Sequence, residues 1–206
     1  STHPFLRNRC YGGDAVTVTD ASRAVANALL AGGVLPVIKH LPGHGRASVD
    51  SHKDLPRVLA PRCDLAAQDF VPFLALSDLP MGMTAHIVFE DIDNSGPATT
   101  SRVMTELIRN DIGFNGLLMT DDIGMDALSG DVAQRSRAAI SAGCDVILHC
   151  CGDAAEIVQV AEAAGQMNDA AQARVDAALI MRKTPTPVDI AALSAELYVL
   201  LGMEVV

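Results

Sequence analysis

The chain is 206 residues long with a net charge of −10 and a pI near 4.8, which argues against nucleic acid or an anionic membrane surface as its main partner, because either needs a basic footprint. Half of the residues are apolar, ample for one globular core, yet no window approaches the uninterrupted apolar span needed to cross a bilayer. Five cysteines, an odd number with two adjacent at Cys150 and Cys151, fit reduced cytosolic thiols better than a disulfide framework.

In chain order, helical punctuation first appears from Thr19 or Asp20 to Gly32, between a plausible cap and a glycine stop. Gly33-Val34-Leu35-Pro36-Val37-Ile38 has the apolar continuity of a buried parallel strand, with Pro36 weighing against it, and would leave Lys39-His40 at its carboxyl end. The loop that follows, Lys39-His40-Leu41-Pro42-Gly43-His44-Gly45 through Asp50-Ser51-His52, carries six ionisable groups in fourteen residues, and its glycines and proline forbid a regular helix. Ala66, Phe70, Phe73 and Leu74 then fall at i, i+4, i+7 and i+8, the spacing of one apolar helical stripe.

A second strand, Leu79 to Ala85, runs into His86, and a helix is expected from Thr100 to Gly113. A third, Gly116 to Thr120, runs into Asp121-Asp122, and a helix follows from Ser129 or Asp131 to Gly143. A fourth, Cys144 to Leu148, runs into His149, and two Ala-rich helical stretches follow at about 153–165 and 169–182. Thr184-Pro185-Thr186-Pro187 cannot continue a helix, and a last helix is expected from about Asp189 to Leu201. Residues 1–183 therefore read as the carboxyl-terminal portion of a single domain and 184–206 as a linker with a terminal helix. Neither an internal repeat beyond this rhythm nor a low-complexity segment is present.

Repeated strand–helix units with polar groups at the carboxyl ends of the strands predict an α/β fold, either a TIM (β/α)8 barrel or a doubly wound sheet, with the site on that face. A complete barrel needs roughly 250 residues, and only about half of one is legible here. The chain opens on Ser1-Thr2-His3-Pro4 without a first strand in good order, so an amino-terminal portion is expected to be missing. No signal peptide is visible, although a truncated start could have lost one.

The two-part motif of Lys39–Gly45 with Asp50-Ser51-His52, and Thr120-Asp121-Asp122-Ile123-Gly124-Met125 downstream, resembles the β-N-acetylglucosaminidases of glycoside hydrolase family 3, whose bacterial, cytosolic members act in peptidoglycan recycling. The resemblance extends from Asn8-Arg9-Cys10-Tyr11-Gly12 to about Cys150. It implies a TIM barrel of which this chain is the carboxyl-terminal part, and a retaining exo-hydrolysis of terminal β-linked N-acetylglucosamine through a covalent glycosyl-enzyme. The resemblance places the nucleophile on Asp121; Asp122 is the rival, and an Asp pair after a strand can also cap the next helix. It points to His52 as acid/base, assisted by Asp50. Imidazole can donate and accept a proton near neutral pH, and a carboxylate two residues away can hold one ring nitrogen.

Lys39 and His40 match the family's substrate-binding pair and Arg9 a further sugar-contacting position. His44 between its glycines would shape the loop, and His86 and His149 could be satisfied, partly buried histidines. A metal centre built from His40, His44, His52, His86, His149 and Asp121 competes, but His40 and His44 would face together only on a helix, which Leu41-Pro42-Gly43 opposes. Gly43-His44-Gly45 lacks the later glycine of a dinucleotide loop, so neither a metal nor another cofactor is expected. The implied partner is a small carbohydrate such as N-acetylglucosaminyl-1,6-anhydro-N-acetylmuramic acid, with or without peptide, in the cytoplasm, bound by a full-length monomer with no nucleic acid or membrane partner. Two alternatives stay open. A glycoside phosphorylase fits because a histidine acid/base would not repel phosphate as a carboxylate would. An inactive truncated barrel fragment with exposed strand edges would tend to associate.

Overall fold

The computed structural model describes Pro4 and residues 9–51, 54–150 and 152–203. Helix α1 spans Ala15–Ala31. It starts ahead of Thr19 and Asp20 because Asp14, extended at φ −138° behind two glycines, caps it by accepting from the Thr17 amide at 2.9 Å. Strand β1 is Val37–Leu41, so the apolar run of 33–36 is largely loop, and Lys39 and His40 lie inside the strand instead of beyond it. Pro36, which can donate nothing to a ladder, marks the true start.

A two-residue strand, β2 (Arg57–Val58), closes the ionisable loop. Helix α2 (Arg62–Asp64) runs into a π turn at Leu65–Asp69 and then α3 (Val71–Ala75). The π turn breaks the expected stripe: Phe70 is buried and Phe73 half-buried, while Ala66 and Leu74 face solvent. Strand β3 (Met81–Thr84) and the short β4 (Val88–Phe89) follow, then α4 (Arg102–Glu106) with a π turn at Leu107–Asp111. Next come β5 (Leu117–Asp122), α5 (Val132–Ala142), β6 (Val146–Leu148), α6 (Ala154–Ala164) and α7 (Asp169–Met181). Beyond the Pro185–Pro187 break lies α8 (Ile190–Leu200), none of whose residues is buried.

The four main strands form one parallel sheet in the order β1-β3-β5-β6, each beside its successor. That monotonic order is the progression of a barrel; a doubly wound sheet reverses at its switch point. The described residues thus hold part of a TIM-type barrel, four strands where a closed barrel has about eight. Beside it, β2 and β4 make a separate parallel pair that ties the end of the ionisable loop to the segment after β3.

The core lies between the sheet and its helices. Leu41, Ile108, Phe114 and Leu118 are fully buried in this core, and at Gly82 an added Cβ would sit 2.6 Å from Leu41 Cδ1 and 2.9 Å from Phe114 Cζ. At the amino-terminal ends of β5 and β6, Asp145 accepts from Arg109 Nη2 at 2.7 Å, Arg174 Nη1 at 2.7 Å and the Leu118 amide at 2.8 Å. Arg109 Nη1 also donates to the Phe114 and Gly116 carbonyls, so one buried ion cluster laces three segments together.

Helix α5 is framed as its sequence requires. Asp131 and Gln134 form a reciprocal capping box, and Gly143 ends the helix at φ +115°, a left-handed conformation that favours glycine. Asp131→Ala should lower stability by about 1 kcal/mol, read as a shifted urea midpoint with unchanged slope; a shift near zero would show that the cap is redundant.

Candidate active site

The carboxyl ends of the four strands converge on one face. There β1 presents His40, β3 leads into His86, β5 ends in Asp121 and Asp122, and β6 leads into His149. Both β1 and β5 carry a register irregularity at this point. Lys39 pairs with Met83 but Leu41 with Thr84, leaving His40 as the extra residue. Met119 pairs with Val146 but Asp122 with Leu148, an extra residue across Thr120 and Asp121. Such bulges re-aim side chains, and here they bring His40 Nε2 to 3.4 Å from Asp121 Oδ2.

The two aspartates differ in what holds them. Asp122 Oδ1 accepts from the Gly124 amide at 2.9 Å and the Cys150 amide at 3.1 Å, and lies 3.7 Å from His149 Nδ1. Asp122 therefore organises the backbone after β5. Among the described residues Asp121 Oδ1 accepts from the amide of its own neighbour at 2.8 Å, which leaves Oδ2 toward His40.

The ionisable loop folds back over β1. His44 stacks edge-on against His40 with ring centroids 5.1 Å apart, and His44 Nε2 lies 3.3 Å from the buried Ser51 Oγ. The expectation that these two histidines could meet only on a helix is thus corrected: the turn through Leu41-Pro42-Gly43 brings the rings together without one. Arg46 Nε clamps the loop to the π turn through both Asp69 oxygens, at 3.0 and 2.8 Å. Asp50 is half-buried on this loop. His52 lies outside the described residues, as does Asn8 of the upstream motif.

Beside β1 opens a cavity of about 600 Å³, to which Arg9, Lys39, His40 and His44 contribute polar groups and Pro72 and Phe73 an apolar wall. Of the residues expected to do chemistry or bind sugar, four therefore meet here: Lys39, His40 and Arg9 along the cavity and Asp121 against His40. Ser51, Thr99 and the anchoring role of Asp122 were not legible, since a lone hydroxyl or second aspartate has no spacing signature. Among the described residues, no group of three or more His, Cys, Asp or Glu side chains is placed to hold a metal ion.

Burial pushes the His40 imidazole down to about 3, against the pull of Asp121; His44, Lys39 and Arg9 push the same way as burial. The 3.4 Å contact near neutral pH therefore joins a neutral ring to the carboxylate and is not an ion pair. His44 and His86 are likewise lowered, chiefly by burial. Unfolded histidine titrates near 6.5, so between that value and about 3 the unfolded chain binds a proton at His40 that the folded chain does not. Stability is then fully present above pH 6.5 and lost as pH falls toward 3. Urea unfolding should show stability dropping between pH 7 and 5, by up to about 1.4 kcal/mol per pH unit for each neutral histidine. His40→Asn should flatten part of that slope; a level profile in the wild type would mean the rings are not held neutral.

A parallel strand–helix barrel segment with carboxylates and imidazoles gathered at the carboxyl ends of its strands is the architecture of a TIM-type catalytic domain. Residues 2–181 match the family model described as the glycosyl hydrolase family 3 N terminal domain, and the chain belongs to that family.

Among its relatives are proteins named beta-hexosaminidase. The one from Bordetella parapertussis is 36% identical over 149 residues, 70% of this chain and 42% of that protein. The one from Alkalilimnicola ehrlichii is 44% identical over 123 residues, 57% of this chain and 35% of that protein. The chain thus spans less than half the length of these curated relatives. In three dimensions it resembles NagZ from Neisseria gonorrhoeae, with a TM-score of 0.77 and 27% identity over 95% of this chain and 56% of that one. It also resembles a glycoside hydrolase family 3 beta-N-acetylglucosaminidase from a Paenibacillus species, with a TM-score of 0.81 and 26% identity over 91% of this chain and 39% of that one. No described helix is long and apolar enough to cross a membrane.

Proposed function

We propose that this chain supplies the catalytic face of a retaining exo-β-N-acetylglucosaminidase. The observation that carries the reading is the division between the two aspartates: Asp122 is held by backbone amides, while Asp121 keeps an oxygen toward a buried imidazole at the edge of the cavity that Lys39 and Arg9 line. Asp121 is the nucleophile. Its Oδ2 attacks the anomeric carbon as the glycosidic C–O bond breaks, and the acid, His52, gives its proton to the departing oxygen. A water then loses a proton to His52 and attacks the same carbon, releasing Asp121 as the carboxylate. The assignment of His52, with Asp50 orienting it, rests on the Asp50-Ser51-His52 motif; Lys39, His40 and Arg9 bind sugar hydroxyls.

The substrate is a cytoplasmic peptidoglycan fragment, N-acetylglucosaminyl-1,6-anhydro-N-acetylmuramic acid with or without its peptide, and the full-length enzyme is a monomer. Support comes from the resemblance to NagZ and from a net charge of −10 that disfavours polyanionic partners. Release of 4-nitrophenol from 4-nitrophenyl N-acetyl-β-glucosaminide tests it, measured with this chain and with a form extended to the length of its relatives. Activity that Asp121→Ala removes is the expected result. A wild type inactive in both forms overturns the reading, and sugar 1-phosphate formed in phosphate buffer would change hydrolase to phosphorylase.

A further inference from the structure

Beneath the site lies a buried polar column. His86 is fully buried, with Nε2 at 2.9 Å from the Asp122 carbonyl oxygen and Nδ1 at 2.7 Å from Thr99 Oγ1. Thr99 and Thr84 are fully buried as well, and their hydroxyl oxygens are 2.9 Å apart. The protons can be placed by elimination. A carbonyl oxygen only accepts, so Nε2 carries a hydrogen and donates it to Asp122. In the neutral ring Nδ1 is then a bare acceptor, and at 2.7 Å, against 3.1 Å to the Ala85 carbonyl, it is the nearer acceptor for the single Thr99 hydroxyl proton. Thr99, its proton spent, accepts from Thr84, although the Ala85 carbonyl at 3.1 Å offers it a competing partner. The column runs one way: Thr84 to Thr99 to His86 to the Asp122 carbonyl.

Its far end touches the proposed nucleophile's support. The Asp122 carbonyl also accepts from the Met125 amide at 3.2 Å, and the next amide, Ile123, donates to the Leu148 carbonyl at 2.9 Å. The Asp122 amide is the group that holds Asp121 Oδ1. Leu, Val or Phe in place of this column would fill the same space without burying polar groups, so a column that ends on the Asp122 carbonyl points to a task there.

We propose that His86, driven by Thr99 and Thr84, is a positioning residue that fixes residue 122 and through its amide aims the Asp121 carboxylate; this rests on the reading of Asp121 as nucleophile. The test compares wild type, Thr99→Val, Thr99→Ser and His86→Asn in the form active on 4-nitrophenyl N-acetyl-β-glucosaminide, with circular dichroism confirming folding. Thr99→Val and His86→Asn should lower kcat by about tenfold to a hundredfold with KM within about twofold, and Thr99→Ser should restore it. Unchanged kcat in both folded variants overturns the proposal.

Nitrogen-15 NMR supplies a readout that needs no turnover. The wild-type His86 ring should be the Nε2-protonated neutral tautomer, and Thr99→Val should move the Asp122 amide resonance. An Nδ1-protonated ring, or an Asp122 amide that does not respond, overturns the proposal even if the wild type proves inactive, an inactivity that by itself would count only against the glycosidase reading.

Discussion

Asp121→Asn should reduce turnover of an aryl N-acetyl-β-glucosaminide by a factor on the order of 10⁴ or more, while the melting temperature stays within a few degrees of wild type. The chemical loss is the nucleophile itself: an amide does not form the glycosyl-enzyme. The structural loss is small, because Asn keeps the shape and its oxygen can still accept from the Asp122 amide that now holds Asp121 Oδ1. Among the described residues Asp121 closes no buried ion cluster, and its side chain is 17% exposed. Asp122→Ala makes the contrast. It removes the acceptor shared by the Gly124 and Cys150 amides, and should destabilise by about 1 kcal/mol for each bond lost, with activity falling as the loop loosens. Full activity in a folded Asp121→Asn beside a dead, stable Asp122→Asn would exchange the two roles.

The largest effect on stability should come from the opposite end of the sheet. Asp145→Ala removes the one carboxylate that serves both Arg109 and Arg174 and the Leu118 amide. The carboxylate is 4% exposed and the Arg109 side chain 13%, so the guanidinium would be left buried with a charge and no counter-ion. Breaking one side of such a cluster costs about 3–5 kcal/mol, enough to threaten a domain of marginal stability. A urea midpoint is the direct measurement. The exposed Arg102–Glu106 pair on α4 is the control, worth no more than about 0.5 kcal/mol, with side chains 79% and 58% exposed. Equal shifts in Asp145→Ala and Glu106→Ala would show the cluster to be no stronger than a surface pair.

Much of the fold could be read from the chain because its signals were local. Asp131 and Gly143 framed α5, and the Thr184–Pro187 break separated α7 from α8. The carboxyl-end placement of His86, Asp121 and His149 followed from apolar runs ending in charge, and the family from the Lys39–His52 and Thr120–Met125 motifs. What escaped was non-local or broke a period. The π turn at Leu65–Asp69 displaced a stripe that a 3.6-residue repeat placed on Ala66 and Leu74. The β2–β4 pair joins residues 57–58 to 88–89, two-residue strands with no periodicity to detect. β1 starts four residues beyond the onset of its apolar run, because Pro36 interrupts that run and cannot donate to the ladder. In the site, the meeting of His40 and His44 depended on a turn whose shape no spacing rule encodes.

The bulges in β1 and β5 set the kind of change this face can tolerate. With one residue more than its partner across each irregularity, His40 and Asp121 owe their facing directions to a count of residues as well as to their identities. A strand alternates its sides with every step, so losing one residue from Val37–Lys39 or from Leu117–Thr120 would turn the following side chain through the sheet, away from its counterpart. Both segments can therefore vary in composition far more freely than in length, and a single in-frame codon deletion there would be more damaging to the site than most substitutions.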